Sequence, residues 1–307
     1  MNLKYAIVGT GAIGGYYGAK LARSGQDVHF LLHSDYDFVL RNGLQVNSWQ
    51  GSFHIDNPHV YNNVQAMPQC DVVLVALKTT NNRLLASLLP PLLAPQTIVV
   101  LIQNGIGVEA DVQAMLPDVQ LAAGLAFICS GKTQPGVVDH QHYGGLTIAD
   151  YSCRSREAVE RLAGELSDAG IEVHRAEYHF ARWRKAVWNM PFNGMTVAMQ
   201  CQTDKLLAEP ATRQLIRRQM VEVIRAAQAH GVTGLDEAFA DQMLTTTDAM
   251  VPYSPSMRLD WDFGRPMELN YIYDRPLLMA AQAGSPMPEL QQLADRLHDM
   301  EQQRATH

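Results

Sequence analysis

Residues 4–18 read KYAIVGTGAIGGYYG. A short apolar strand, Tyr5 to Val8, runs into Gly9-x-Gly11-x-x-Gly14, and a helix-compatible stretch follows. Gly9 permits the tight turn, Gly11 lets the backbone approach a pyrophosphate, and Gly14 lets the helix pack closely on the strand. The helix N-terminus aims its free N–H groups at the anion. Three glycines at this spacing are a weak signal alone. Set between a strand and a helix they point to a dinucleotide, with Gly9, Thr10, Gly11, Ala12, Ile13 and Gly14 as the cradle.

Strands and helices alternate outward from this stretch. A helix is expected from about Ile13 to Ser24, then a strand over Val28–Leu32. Residues 44–60 alternate like a short hairpin turning at Gln50-Gly51. Asp71 to Ala76 is a continuous apolar run, as in a parallel strand buried on both faces, and Ile98–Ile102 is another. Leu121–Ile128, Gly136–His140 and Gly144–Ile148 read as further strands, followed by a helix over about 155–169 and a strand near Glu172–His174. This alternation predicts an α/β fold with a doubly wound sheet.

Near Ala176 the pattern changes to helical periodicity almost throughout, with segments at about 178–190, 211–230, 236–250, 266–283 and 288–304. The expected organisation is a dinucleotide-binding domain over 1–175 and an all-helical, substrate-binding domain over 176–307, with ligands in a cleft between them. At 307 residues both can hold a core. The net charge of −7 argues against a general nucleic-acid or anionic-membrane partner. Cys70, Cys129, Cys153 and Cys201 form no CxxC and read as reduced thiols. No leader and no membrane-length apolar run is evident, so a cytoplasmic protein is expected. The apolar periodicity of the helical half is compatible with a homodimer.

Three groups of residues suggest chemistry. Lys78 closes VVLVALK, and Asn104 follows IVVLIQ, each just past the carboxyl end of a predicted strand, where a doubly wound sheet places its ligands. Lys185, Asn189 and Asn193 recur every four residues and share one stripe of a helix whose interleaved Val187, Trp188, Met190 and Phe192 are apolar. Pro191 removes an N–H from that helix, so a kink or a freed acceptor is expected. Ser256 and Glu268 complete the set; taken singly, Ser256 reads as a helix N-cap and Glu268 as a first-turn acid after Pro266.

In this order, the motifs resemble the ketopantoate reductase family, the NADP-dependent 2-dehydropantoate 2-reductases of pantothenate biosynthesis. The resemblance spans essentially the whole chain: the glycine loop, Lys78, Asn104-Gly105-x-Gly107, RK-x-x-x-N-x-x-x-N, a Ser-Met pair and E-x-x-Y-I. It implies a Rossmann-type domain joined to a helical one, with Lys185 as general acid and Glu268 beside it in the catalytic set. Asn104, Asn189, Asn193 and Ser256 are then the substrate ligands, and Lys78 and Asn104 also serve the cofactor. Hydride addition to a ketone builds negative charge on oxygen, which an ammonium can stabilise and protonate.

Several positions depart from the family pattern. His33 stands where an arginine usually meets the adenosine 2′-phosphate, and Asp35 lies near the spacing of a carboxylate that would accept from a 2′-hydroxyl and mark NAD. His33, Ser34 and Arg41 could still serve a phosphate, so NADP is expected with NAD open. Gly194, Thr203, Tyr253 and Tyr273 also differ, which leaves room for another 2-oxo acid. A non-catalytic dinucleotide-binding redox sensor is the alternative of another class, and it gives no reason for the Lys185 stripe. His140 and His142 lack a third ligand at usable spacing, and no metal is expected.

Overall fold

A computed structural model describes residues 2–305 and divides the chain into two compact units, Met1–Gln103 with Val108–Tyr178, and Asn104–Gly107 with His179–His307. The first unit contains β1 (Lys4–Val8), α1 (Ala12–Arg23), β2 (Asp27–Leu31), α2 (Tyr36–Asn42), β3 (Leu44–Ser48), β4 (Phe53–Ile55), β5 (His59–Tyr61), β6 (Cys70–Val75), α3 (Leu85–Leu88), β7 (Leu93–Leu101), α4 (Val108–Met115), β8 (Gln120–Gln134), β9 (Val137–Asp150), α5 (Arg156–Asp168) and β10 (Val173–Arg175).

Its strands form one sheet in the order β4-β3-β9-β8-β7-β6-β1-β2-β5, with β10 on β9. The middle strands β7, β6, β1 and β2 are parallel, and the chain reverses its winding direction beside β1. That reversal is the switch point where such sheets bind ligands. Ile7, Val73, Leu74 and Val100 are fully buried on these strands, as their uninterrupted apolar runs require. The fold is a Rossmann-type α/β unit joined in sequence to an all-helical one.

The two short strands expected at 136–140 and 144–148 are instead a single strand, β9, and β8 continues past Ile128 to pair with it antiparallel. Tyr143 (φ 63°) takes up an irregularity in that ladder, so the break visible in the sequence is a bulge within one strand. His140 lies buried there, its ring bonded to Ser48 Oγ (2.9 Å) and the Tyr143 carbonyl (2.8 Å).

The second unit consists of α6 (Tyr178–Ala198), α7 (Thr203–Ala208), α8 (Pro210–Ala229), α9 (Glu237–Asp248), α10 (Ser256–Asp262), α11 (Arg275–Gln282) and α12 (Pro288–Ala305). Helix α6 does not stop at Met190 as its pattern suggested but runs through Pro191. The segment expected to be one helix over 266–283 is broken: Asn270–Asp274 is a π-helical turn that leads into α11. Short α7 and α10 lie within stretches that carried no helical period. Trp183, Phe192 and Tyr273 are the largest side chains in this unit's core.

Candidate functional site

In the first unit, the glycine loop has the shape its sequence requires. Gly9 has φ 98°, and a Cβ there would sit 2.7 Å from the Leu77 nitrogen. A Cβ on Gly14 would overlap the Gly9 carbonyl oxygen, so α1 can lie against β1 only with glycine at this position. Gly11 differs from both. It is the N-cap of α1, its backbone is extended (φ −86°), and a Cβ there would meet nothing within 4 Å. No side chain caps α1. The space above Gly11 and an uncapped helix start fit a pyrophosphate.

The neighbouring strand ends are tied to this loop. Thr10 Oγ1 donates to the Leu31 carbonyl at the end of β2 (2.9 Å). Past β2, His33 and Ser34 are exposed, whereas Asp35 is only 6% exposed. The Asp35 carboxylate accepts from Lys132 Nζ, from the Gly136 N–H (2.8 Å) and from Ser34 Oγ (3.0 Å). Burial pushes this carboxyl up, but the Lys132 and Gly136 hydrogen bonds outweigh it and hold the group below its ordinary range. Arg41 is exposed and donates to the Asp37 carbonyl in its own helix (2.9 Å). Lys78, half-buried, follows β6. Buried Gln103 fixes the adjoining segment by donating to the Leu77 carbonyl and to Asn82 Oδ1, both at 2.7 Å.

In the second unit, the stripe on α6 sinks progressively into the protein. Lys185 is half-buried, Asn189 is 8% exposed and Asn193 is 1% exposed. Desolvation is the main influence on the Lys185 ammonium. The Arg182 charge one turn earlier adds to it and Glu268 opposes it, leaving the pKa lowered to about 7. Glu268, 5% exposed, stands just ahead of the π-helical turn and not inside a first helical turn.

Asn193 spends both ends of its amide on protein groups. Its Nδ2 donates to the Asn189 carbonyl (3.0 Å), and its Oδ1 accepts from the Met257 N–H (3.2 Å). The second bond satisfies one of the open donors at the start of α10, a capping task normally done from the N-cap residue. Ser256 is therefore not the cap its position suggested: the N-cap is Pro255, and Ser256 is the first helical residue.

The loop Asn104–Gly107 is held by the same region. The Ile106 N–H donates to the Tyr271 carbonyl (2.9 Å), and a Cβ on Gly105 (φ 101°) would overlap that oxygen. Half-buried Asn104 is thus tied through its loop to the segment that begins at Glu268. The positions that departed from the family pattern also find partners. Tyr273 is fully buried and bonds the Met190 carbonyl (2.5 Å), so it is a core residue. Thr203 and Tyr253 bond each other: the Thr203 N–H donates to the Tyr253 carbonyl (3.1 Å), and the Tyr253 N–H donates to Thr203 Oγ1 (3.3 Å).

Residues 5–152 match the family model Ketopantoate reductase PanE/ApbA, and residues 178–301 match its C-terminal counterpart. The chain belongs to the ketopantoate reductase family. It is 42% identical over 300 residues to a 2-dehydropantoate 2-reductase of Nostoc sp., covering 96% of this chain and 94% of that one. A crystal structure of 2-dehydropantoate 2-reductase from Geobacter metallireducens superposes with a TM-score of 0.94 at 38% identity, covering 97% of this chain and all of that one. The enzyme of that name from Methylococcus capsulatus gives 0.89 at 32% identity, over 98% of each chain.

Sequence reasoning missed Arg182, Gln103 and Lys132. Arg182 was within reach, since it lies three residues before Lys185 and so on the same helical face. Gln103 adjoins Asn104 but bonds a segment about twenty residues earlier, and Lys132 lies in a hairpin about a hundred residues from its carboxylate. Neither pairing leaves a local pattern.

Proposed function

We propose that this protein reduces 2-dehydropantoate to pantoate with NADPH. The observation that supports this most directly is the placing of Lys185. Lys185 is half-buried on a helix face with Asn189; desolvation and the Arg182 charge lower its pKa to about 7 against the opposing charge of Glu268, which suits proton donation near neutrality.

A reduced nicotinamide held by the glycine loop would supply the hydride for the ketone carbon. Lys185 stabilises the negative charge that develops on the carbonyl oxygen and protonates it, then regains its proton from solvent. Glu268 keeps Lys185 charged enough to donate. Asn104, Asn189 and Ser256 supply amide and hydroxyl groups to the carboxylate and hydroxyl of the substrate. Asn193 positions Ser256 by capping α10. In the first domain, taken as 1–175, the loop Gly9 to Gly14 holds the pyrophosphate, with Lys78 and His33 along the cofactor; the domain over 176–307 holds the substrate.

A second reading keeps the chemistry and changes the substrate. Tyr253, half-buried and 6.5 Å from Trp188 between ring centroids, stands where the family resemblance implies a substrate-binding asparagine, and a larger side chain with different hydrogen bonds favours a different 2-oxo acid. Initial rates of NADPH oxidation at 340 nm with 2-dehydropantoate and with a panel of other 2-oxo acids decide between the two. The proposal expects the highest kcat/KM for 2-dehydropantoate. A tenfold higher value for another acid transfers the assignment to that acid.

A further inference from the structure

The hairpin between β8 and β9 reaches back to the glycine loop through one side chain. Lys132 Nζ donates to the Thr10 carbonyl (3.1 Å) and to Oδ2 of the Asp35 carboxylate, and Gly136 in the same hairpin donates its N–H to that same oxygen (2.8 Å). Asp35 holds the place past β2 from which an acidic residue usually accepts from the ribose 2′-hydroxyl. Here the carboxylate is turned inward and its side chain is 8% exposed, against 26% for Lys132. An ammonium has three donors. Two are used by Thr10 and Asp35, and Lys132 is the more exposed member of the pair. Ser34 and His33 flank this point, both exposed.

We propose that the Lys132–Asp35 pair is the specificity determinant for the adenosine 2′ position: it withdraws the carboxylate that would favour a 2′-hydroxyl and presents a cation that accepts a 2′-phosphate. The pair as a whole is neutral, but its charges are ordered, with the anion beneath and the cation outward. A dianionic phosphate approaching from outside meets the cation first, and Lys132 is held there by two anchors before any ligand arrives. His33 offers no guanidinium fork of the kind an arginine presents to a phosphate. The local cation the 2′-phosphate needs therefore comes from a different strand.

This inference rests on the reading that the chain binds a nicotinamide dinucleotide, and binding without turnover tests the two separately. NADPH and NADH are titrated into the full-length protein by calorimetry, with 2′,5′-ADP and 5′-AMP as adenosine-side probes. Wild type is expected to bind NADPH at least tenfold more tightly than NADH, and 2′,5′-ADP at least tenfold more tightly than 5′-AMP. In Lys132→Ala the NADPH affinity should fall ~10–100-fold, the range of one lost charged hydrogen bond. NADH affinity should hold or improve as Asp35 is released, and Lys132→Arg should retain the NADPH preference. Equal affinity of wild type for 2′,5′-ADP and 5′-AMP, or an unchanged NADPH-to-NADH ratio in a folded Lys132→Ala protein, overturns the inference and leaves the dinucleotide reading standing. Failure of wild type to bind either dinucleotide overturns both.

Discussion

The hydroxyl of Tyr273 fills the space that a side chain at Gly194 would need. A Cβ on Gly194 would overlap that oxygen and lie 2.7 Å from Leu293 Cδ2, and Tyr273 is fully buried with its hydroxyl bonded to the Met190 carbonyl. Both residues stand at positions that depart from the family pattern. Gly194→Ala would ordinarily stabilise a helix by about 0.5–1 kcal/mol. Here overpacking, about 1–3 kcal/mol, wins. The variant is expected to melt at a lower temperature, and Gly194→Ala with Tyr273→Phe should recover part of the loss. An additive double mutant would contradict the coupling.

Glycines of the first loop should separate folding from binding. Gly9→Ala meets Leu77 backbone at a positive φ and is expected to lower the melting temperature. Gly11→Ala has an ordinary extended backbone and open space, so its thermal stability should match wild type. Its NADPH affinity should fall, because the added methyl stands where the pyrophosphate approaches. Melting curves and calorimetric titrations of the two variants read this out.

Removing the amide of Asn193 should destabilise the helical unit. Asn193→Ala leaves the Met257 N–H and the Asn189 carbonyl without this partner in a buried place, at a cost of about 1–3 kcal/mol. Because the first turn of α10 carries Ser256, KM should rise more than kcat falls. Urea denaturation and steady-state kinetics measure the two effects. A loss of kcat alone would place Asn193 among the reacting groups.

The Lys185 pKa of about 7 gives a signed pH dependence. The reductive direction needs the ammonium, so kcat/KM should be level below that value and fall about tenfold per pH unit above it. Glu268 raises the Lys185 pKa, so Glu268→Gln should move the inflection to lower pH. An inflection that stays in place or moves upward would show that another group sets the profile.

Much of this was legible in the sequence, where the physics is local. The glycine loop declares itself because each glycine answers a steric demand within a few residues, and the parallel core strands because both faces are buried. The stripe Lys185–Asn189–Asn193 follows from helical spacing. Partners distant in sequence were not legible. Asp35 reads as a ribose ligand until Lys132 and Gly136 are seen holding it, and Ser256 reads as a cap until Asn193 is seen doing that task. Tyr273 reads as a pocket residue because nothing adjacent shows that Gly194 has cleared room for it in the core. Helix α6 passes its own stop signal at Pro191 because the core around Phe192 buries the next turn, which outweighs one missing N–H.

Lys185 is the proposed proton donor in the reduction of 2-dehydropantoate by NADPH. Its most direct test is the turnover number of Lys185→Ala beside wild type at neutral pH, with NADPH affinity and melting temperature measured on the same samples. A kcat reduced ~10²–10³-fold is expected, with cofactor affinity and stability little changed. A variant that keeps kcat within a few-fold of wild type would contradict it.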